Sequence, residues 1–164
     1  MTNLSAKYIG IIAGLLMVLI SLLLFYSFHL PDTGIVNYIC YALFTGAIII
    51  ALLKFHKNYN GDKEFKDYFS EGFKTFVVIV LIMAVFTFIF YKMNPLILES
   101  KLAEINKYNV LDKNKTPGEM IENSNQIRKV FIPMTLATTT MMYLFLGALI
   151  TAVGAGLLSQ RKKI

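Results

Sequence analysis

The charged side chains of this chain lie outside its long apolar runs or near the ends of these runs. His29 and Asp32 fall together between the first two runs, where they could act as an acid and a base, and His56 lies beyond the second run. Ion-coupled transport relies on titratable groups within the membrane, yet no run holds one near its centre apart from tyrosine and cysteine. The two histidines lie at opposite ends of the second run and cannot share a metal ion. We therefore expect no catalytic residue, no cofactor and no metal site.

Threonine hydroxyls are the polar groups that crowd into an apolar run. Thr135, Thr138, Thr139 and Thr140 lie at the start of the fourth run. They could form a polar track for a solute or an ion. They could equally bond to carbonyl groups of their own or a neighbouring helix, as hydroxyls in lipid routinely do. We favour the structural role and keep Thr135, Thr138 and Thr139 as a candidate track.

The composition is that of a membrane protein. The 164 residues are 56% hydrophobic and 16% charged, with a mean hydropathy of +0.60, whereas soluble domains carry about 25% charged residues. The net charge of +6 fits lysines that meet lipid head groups beside membrane spans. No basic patch interleaves with aromatic residues, so we expect membrane lipids and no nucleic acid as partners. The single cysteine, Cys40, excludes an intramolecular disulfide.

Four apolar runs are long enough to cross a bilayer as helices, at about residues 8–28, 35–53, 70–91 and 131–158. They predict an all-α fold, namely a polytopic membrane protein with four transmembrane helices in a single domain over residues 1–164. The spacing of Phe65, Phe69, Phe73 and Phe76 places one face of the third helix before its apolar run begins.

The polar segment 95–130 predicts an extramembrane helical hairpin between spans three and four. Asn94-Pro95 ends or kinks the third helix, and Thr116-Pro117-Gly118-Glu119 is typical of a helix start. That helix is expected to continue into the fourth span despite Pro133. Apolar residues at helical spacing make a candidate partner surface, formed by Leu98, Leu102, Ile105, Met120, Ile121 and Ile127.

Small residues recur at helical spacing on three of the runs. Such rows let helix backbones approach closely in lipid. We interpret them as packing within the protein's own bundle, with a homo-oligomer interface as the alternative. The candidate packing residues are Gly10, Gly14, Gly46, Gly147 and Thr151.

The distribution of lysines favours one orientation in the membrane. The first connection has no Lys or Arg, whereas the second carries five lysines between Lys54 and Lys74. This predicts that both termini and the second connection lie in the cytoplasm. The third connection carries seven basic residues, which favours the opposite orientation.

The segment Phe65-x-x-Tyr68-Phe69-x-x-Gly72-Phe73-Lys74 resembles a bacterial four-span family known as domain of unknown function 4199. Asn94-Pro95 after the third span, the charged helical insert and Gly154-x-Gly156 near a basic C-terminus extend the resemblance to the whole chain. The resemblance implies a bacterial inner (cytoplasmic) membrane protein with no established activity. It also implies a link to a membrane polyprenyl-phosphate glycosyltransferase, hence to lipid-linked glycan synthesis.

We expect a non-enzymatic accessory or scaffold subunit that holds a protein partner through the insert. The alternative is a small channel or carrier for a lipid or neutral solute. An enzyme would have to rely on His29 and Asp32.

Overall fold

The computed structural model describes residues 5–28, 34–59, 63–110 and 117–160, and these ranges are almost entirely helical. The predicted all-α class is confirmed, and no strand occurs within these ranges. His29 and Asp32 lie outside them, as do the side chains of Ile105 and Met120. The helices are α1 (Ala6–Phe28), α2 (Gly34–Asn58), α3 (Phe65–Met93), α4 (Pro95–Val110) and α5 (Pro117–Gln160).

Helices α1 and α3 begin at recognisable caps. The Ser5 hydroxyl accepts the Lys7 N–H at 3.4 Å, which makes Ser5 the N-cap of α1. At the start of α3, the Glu64 N–H donates to Asp67 Oδ2 at 3.3 Å, which is the reciprocal half of a capping box. Helix α3 therefore starts five residues before the predicted apolar run, as the phenylalanine spacing indicates.

Asn94 and Pro95 separate α3 from α4. The Asn94 side chain donates from Nδ2 to the Phe90 carbonyl oxygen at 2.9 Å, which satisfies an acceptor left open at the end of α3. Pro95 then occupies the first position of α4, where its missing N–H costs nothing. The dipeptide ends one helix and begins the next.

Helix α5 is continuous over 44 residues and contains Pro133. Proline removes one backbone hydrogen bond from a helix interior, and the helix nevertheless continues through this position. At 1.5 Å per residue the helix is about 66 Å long. It therefore exceeds the roughly 30 Å of bilayer hydrocarbon by a wide margin.

Four helices are long and apolar enough to span a membrane. The candidate spans are Ala6–Tyr26, Val36–Asn58, Phe65–Met93 and Ile121–Gln160. Their most apolar stretches are only 17–33% buried inside the structure. The other residues of these stretches are partly or fully exposed, as expected of helices surrounded by lipid.

The chain divides into two compact units. The bundle unit comprises Met1–Met83 and Thr140–Ile164, and the hairpin unit comprises Ala84–Thr139. The core of the bundle unit includes the fully buried side chains Met17, Phe44, Tyr68 and Phe76. The single domain predicted for residues 1–164 stays a prediction.

Candidate functional site

Glycines of α1 lie directly against α3 in the bundle unit. A Cβ atom placed on Gly10 would lie 2.7 Å from the backbone oxygen of Thr75, and one on Gly14 would lie 2.8 Å from the Ile82 side chain. Both distances are too short for a real carbon atom. Glycine is therefore required for the close approach of these two helices.

A second close contact joins α3 to α5. A Cβ atom on Gly147 would lie 2.6 Å from the Phe76 ring, and one on Gly72 would lie 2.5 Å from Thr151. Thr151 is fully buried, and its hydroxyl has no hydrogen-bond partner among the described residues. Gly147 and Thr151 thus lie at helix contacts of the bundle.

Gly46 differs from the other candidate packing glycines. A Cβ atom built on it would meet nothing within 4 Å in the described part of the chain. The neighbouring Ile49 and Ile50 are exposed. Phe44 and Ile48 on the other face of α2 are buried, so it is the face that carries Gly46 that points away from the other described helices, and no described side chain packs against Gly46.

The first turn of α1 is held by two side chains of α3. Glu71 Oε1 accepts the Ala6 N–H at 3.2 Å, and the Thr75 hydroxyl donates to the Ala6 carbonyl oxygen at 3.3 Å. Lys74 in turn binds Glu71 Oε2 at 3.3 Å. We call these contacts the Glu71 clamp. They fix a carboxylate at the N-terminus of α1, where negative charge is favourable.

A histidine and a tyrosine pair beside this clamp. His56 Nδ1 lies 2.7 Å from the Tyr68 hydroxyl, and Tyr68 is fully buried. The hydrogen bond satisfies a polar atom that would otherwise be costly to bury. The arrangement gives His56 a structural role, which motif reading alone did not identify.

Next to the clamp is a polar cavity of about 540 Å³, at the end of the bundle unit where α1 and α3 begin and α2 ends. We call it the bundle-end cavity. It contains charges of both signs within one concave surface. Its lining residues are Ser5, Phe55, Asn58, Tyr59, Lys63, Asp67, Ser70, Glu71 and Lys74.

An ion pair and packed side chains connect the helices of the hairpin unit. Arg128 on α5 binds Glu99 on α4 through Nη2 and Oε1. The rings of Tyr91 and Phe131 meet edge to face at 5.5 Å between centroids. Leu102 of α4 is 4% exposed. The hairpin therefore has a core of its own.

The residues of the candidate partner surface differ in their exposure on this hairpin. Leu102 is buried, so it stabilises the hairpin and is not available to a partner. Ile121 is 65% exposed, and Leu96, which was not among the predicted residues, is 83% exposed. Leu98 and Ile127 are partly exposed. Within segment 95–130, the large apolar side chains that are exposed among the described residues are thus Leu96, Ile121 and Val130 rather than the whole predicted stripe.

The candidate threonine track lines a single cavity in the hairpin unit. This cavity has a volume of about 550 Å³, and it follows one face of α5. Thr135 and Thr139 are partly exposed and Thr138 is exposed. The other described lining residues are Asn123, Ile127, Val130, Phe131 and Met134. Three hydroxyls therefore lie along an otherwise mainly apolar groove.

No group of three or more His, Cys, Asp or Glu side chains within the described ranges could hold a metal ion. Cys40 is buried, and its sulfur lies 3.5 Å from the Ser21 hydroxyl. His29 and Asp32 fall outside the described residues.

Comparison with known proteins gives one match. The model of a family described as "Protein of unknown function (DUF4199)" matches residues 8–160. No curated protein matches the chain, and no solved structure matches it. The family match covers all five described helices apart from the two residues at the start of α1.

Proposed function

Since this chain is a multi-pass membrane protein that belongs to the DUF4199 family of unknown function, we propose that it is a non-enzymatic accessory or scaffold subunit. It binds a membrane protein partner through the hairpin unit. A membrane glycosyltransferase of lipid-linked glycan synthesis is the partner class that the sequence resemblance implies. The setting is the bacterial inner membrane, with both termini in the cytoplasm.

The observation that supports this proposal is the exposure of large apolar side chains on a hairpin that has its own core. Leu102 is buried and the Glu99–Arg128 pair joins the two helices. The hairpin therefore presents a defined surface to a partner. Leu96 and Ile121 are left outside that core. Exposed apolar side chains can be buried against a partner, and a preformed element lowers the entropic cost of binding.

The test is affinity purification in mild detergent from the native host. The wild-type chain should recover one partner in stoichiometric amount. A variant with Leu96→Glu and Ile121→Glu should bind that partner about tenfold more weakly, since losing an interface anchor costs more than 1 kcal/mol. The control is Asn125→Glu, which adds one such negative charge at an exposed position of α5 and should retain the partner.

A monomer or homo-oligomer recovered without any partner would contradict the proposal. Equal loss of the partner in the Asn125→Glu control would show that added charge, not the two apolar residues, is responsible. Recovery of the same partner by the double variant would exclude Leu96 and Ile121 as its anchors.

The groove along α5 favours a second candidate function, a carrier for a lipid or neutral solute. Its support is the alignment of Thr135, Thr138 and Thr139 along one cavity. Glycerol efflux and movement of a fluorescent phospholipid between leaflets can be measured in liposomes. Replacing Thr135 and Thr139 by valine should slow either process, whereas Thr140→Val, outside the groove, should not. Flux that is insensitive to all three substitutions would exclude transport along this groove.

A further inference from the structure

We propose that the bundle-end cavity binds the phosphoethanolamine head group of a membrane phospholipid. The proposal concerns the bundle unit and does not depend on the partner proposed for the hairpin unit. It is supported by the position of the cavity, by the fixed placement of its charges and by the balance between their signs.

The cavity lies where the helices leave the apolar part of the chain. Lys74 is the last charged residue before the uncharged stretch of α3 that continues to Tyr91, and Lys54 is the first one after the uncharged part of α2. Phe55 and Tyr59 line the cavity, and their ring centroids are 4.8 Å apart. Lysines and aromatic rings at this boundary are typical of the depth at which lipid head groups lie.

The charged groups of the cavity are held in place by contacts within the protein. The Glu71 clamp fixes one carboxylate between the α1 backbone and Lys74. Asp67 accepts the Glu64 N–H through Oδ2 at 3.3 Å. Lys63 lies over the Tyr59 ring, with Nζ 4.7 Å from its centroid. A ligand therefore meets groups that are already ordered, which lowers the entropic cost of binding.

The described lining residues include two lysines and two carboxylates, whose formal charges cancel. A zwitterionic ligand complements both signs, because its phosphate can meet lysine while its ammonium meets a carboxylate. Ser5 and Ser70 supply hydroxyl donors for phosphate oxygens. The volume lies within the range of about 300–1,000 Å³ that is usual for small-molecule sites.

Among the common phospholipid head groups, phosphoethanolamine satisfies this lining best. Its primary ammonium has three N–H donors for carboxylates. A choline group carries the same charge but has no N–H donor, and a glycerol head group leaves Asp67 without a cation. The cavity should therefore prefer ethanolamine over choline and glycerol lipids.

The experiment uses the full chain in detergent with three lipids that share identical acyl chains, and native mass spectrometry counts the lipid molecules retained. Phosphatidylethanolamine should be retained more strongly than phosphatidylcholine or phosphatidylglycerol. Asp67→Asn should weaken ethanolamine lipid binding about tenfold, since the charge-assisted hydrogen bond between the carboxylate and the ammonium is lost. Asparagine can still accept the Glu64 N–H, so the cap of α3 is kept.

Lys63→Gln is the second variant and should weaken all three phosphate-containing lipids. Lys66→Gln is the matched control, because Lys66 is exposed and does not line the cavity. Its lipid preference should equal that of the wild type. If Lys66→Gln weakens binding as much as Lys63→Gln, general attraction to the basic end of the bundle explains the result and the proposal fails.

A free head group is the other source of the same chemistry. Soluble O-phosphoethanolamine that displaces the lipid at equal concentration would overturn the assignment to a lipid. Retention of the lipid in its presence supports the assignment. Equal retention of ethanolamine and glycerol lipids by the wild type, or unchanged preference after Asp67→Asn, would also overturn the proposal.

Discussion

At the scale of single residues, the same small-residue pattern has different consequences on different helices. Gly10 lies against the backbone of Thr75, whereas Gly46 faces open space in the described chain. Local spacing cannot distinguish these two cases, because it records which residues share a helix face but not what lies opposite. The same glycine-to-alanine substitution should therefore affect the stability of the protein differently at these two positions.

Gly10→Ala should destabilise the protein by about 1–3 kcal/mol, the usual range for overpacking. The reason is that the added carbon would lie 2.7 Å from a backbone oxygen, which cannot move without its helix. Gly46→Ala is the matched control, and alanine there should be neutral or stabilising because glycine is the poorer helix former. Thermal unfolding followed by circular dichroism in detergent measures both. Equal shifts in the unfolding temperature would contradict the close contact at Gly10.

At the scale of helices, the starts and ends were largely predictable from the sequence, while the contacts between helices were not. The phenylalanine spacing predicted that α3 begins before its apolar run, and Asn94-Pro95 predicted its end. Both signals are local. The contact between Glu71 and Ala6 joins residues 65 positions apart, and no local periodicity encodes such a pairing.

The hairpin shows the same limit. Its apolar stripe could be read from the sequence, but the stripe does not say which of its members face the other helix. The structure buries Leu102 and exposes Ile121. The predicted surface therefore grouped residues that stabilise the hairpin with residues that a partner could reach, and it did not include the exposed Leu96.

The ion pair between Glu99 and Arg128 predicts how charge-reversing substitutions change the stability of the hairpin. Glu99→Arg or Arg128→Glu alone should loosen it, because two like charges then face each other. The double exchange should restore the opposite charges and the stability. The rate of proteolysis within residues 84–139 measures this, and the differences should shrink in high salt because the pair is exposed. Equal proteolysis of single and double variants would show that the pair does not join the helices.

At the scale of the whole molecule, the four spans bury only a minor part of their apolar surface against one another. Lipid or a further membrane protein must cover the remainder. The proposed function assigns part of this surface to a protein partner. It also makes the orientation of the chain the first property to measure, since orientation decides which compartment reaches the hairpin unit.

The distribution of lysines predicts that α3 begins on the cytoplasmic face and that the hairpin lies on the opposite face. In a Cys40→Ala background, Asn125→Cys should react with a membrane-impermeant maleimide in intact cells. Lys66→Cys should react only after the cells are permeabilised. Both positions are exposed, so accessibility within the protein is matched. The reverse pattern of labelling would establish the opposite orientation.

The Glu71 clamp also has a consequence for the order of events during synthesis. The ribosome adds about 5–20 residues per second, and Glu71 follows Ala6 by 65 residues, so α1 emerges roughly 3–13 s before the side chain that holds its first turn. Throughout that interval the first turn of α1 lacks this partner, although α2 is already available to contact the helix at Ser21 and Cys40. The nascent chain thus first secures its position in the membrane, and the N-terminus of α1 acquires its partner only when the third span arrives.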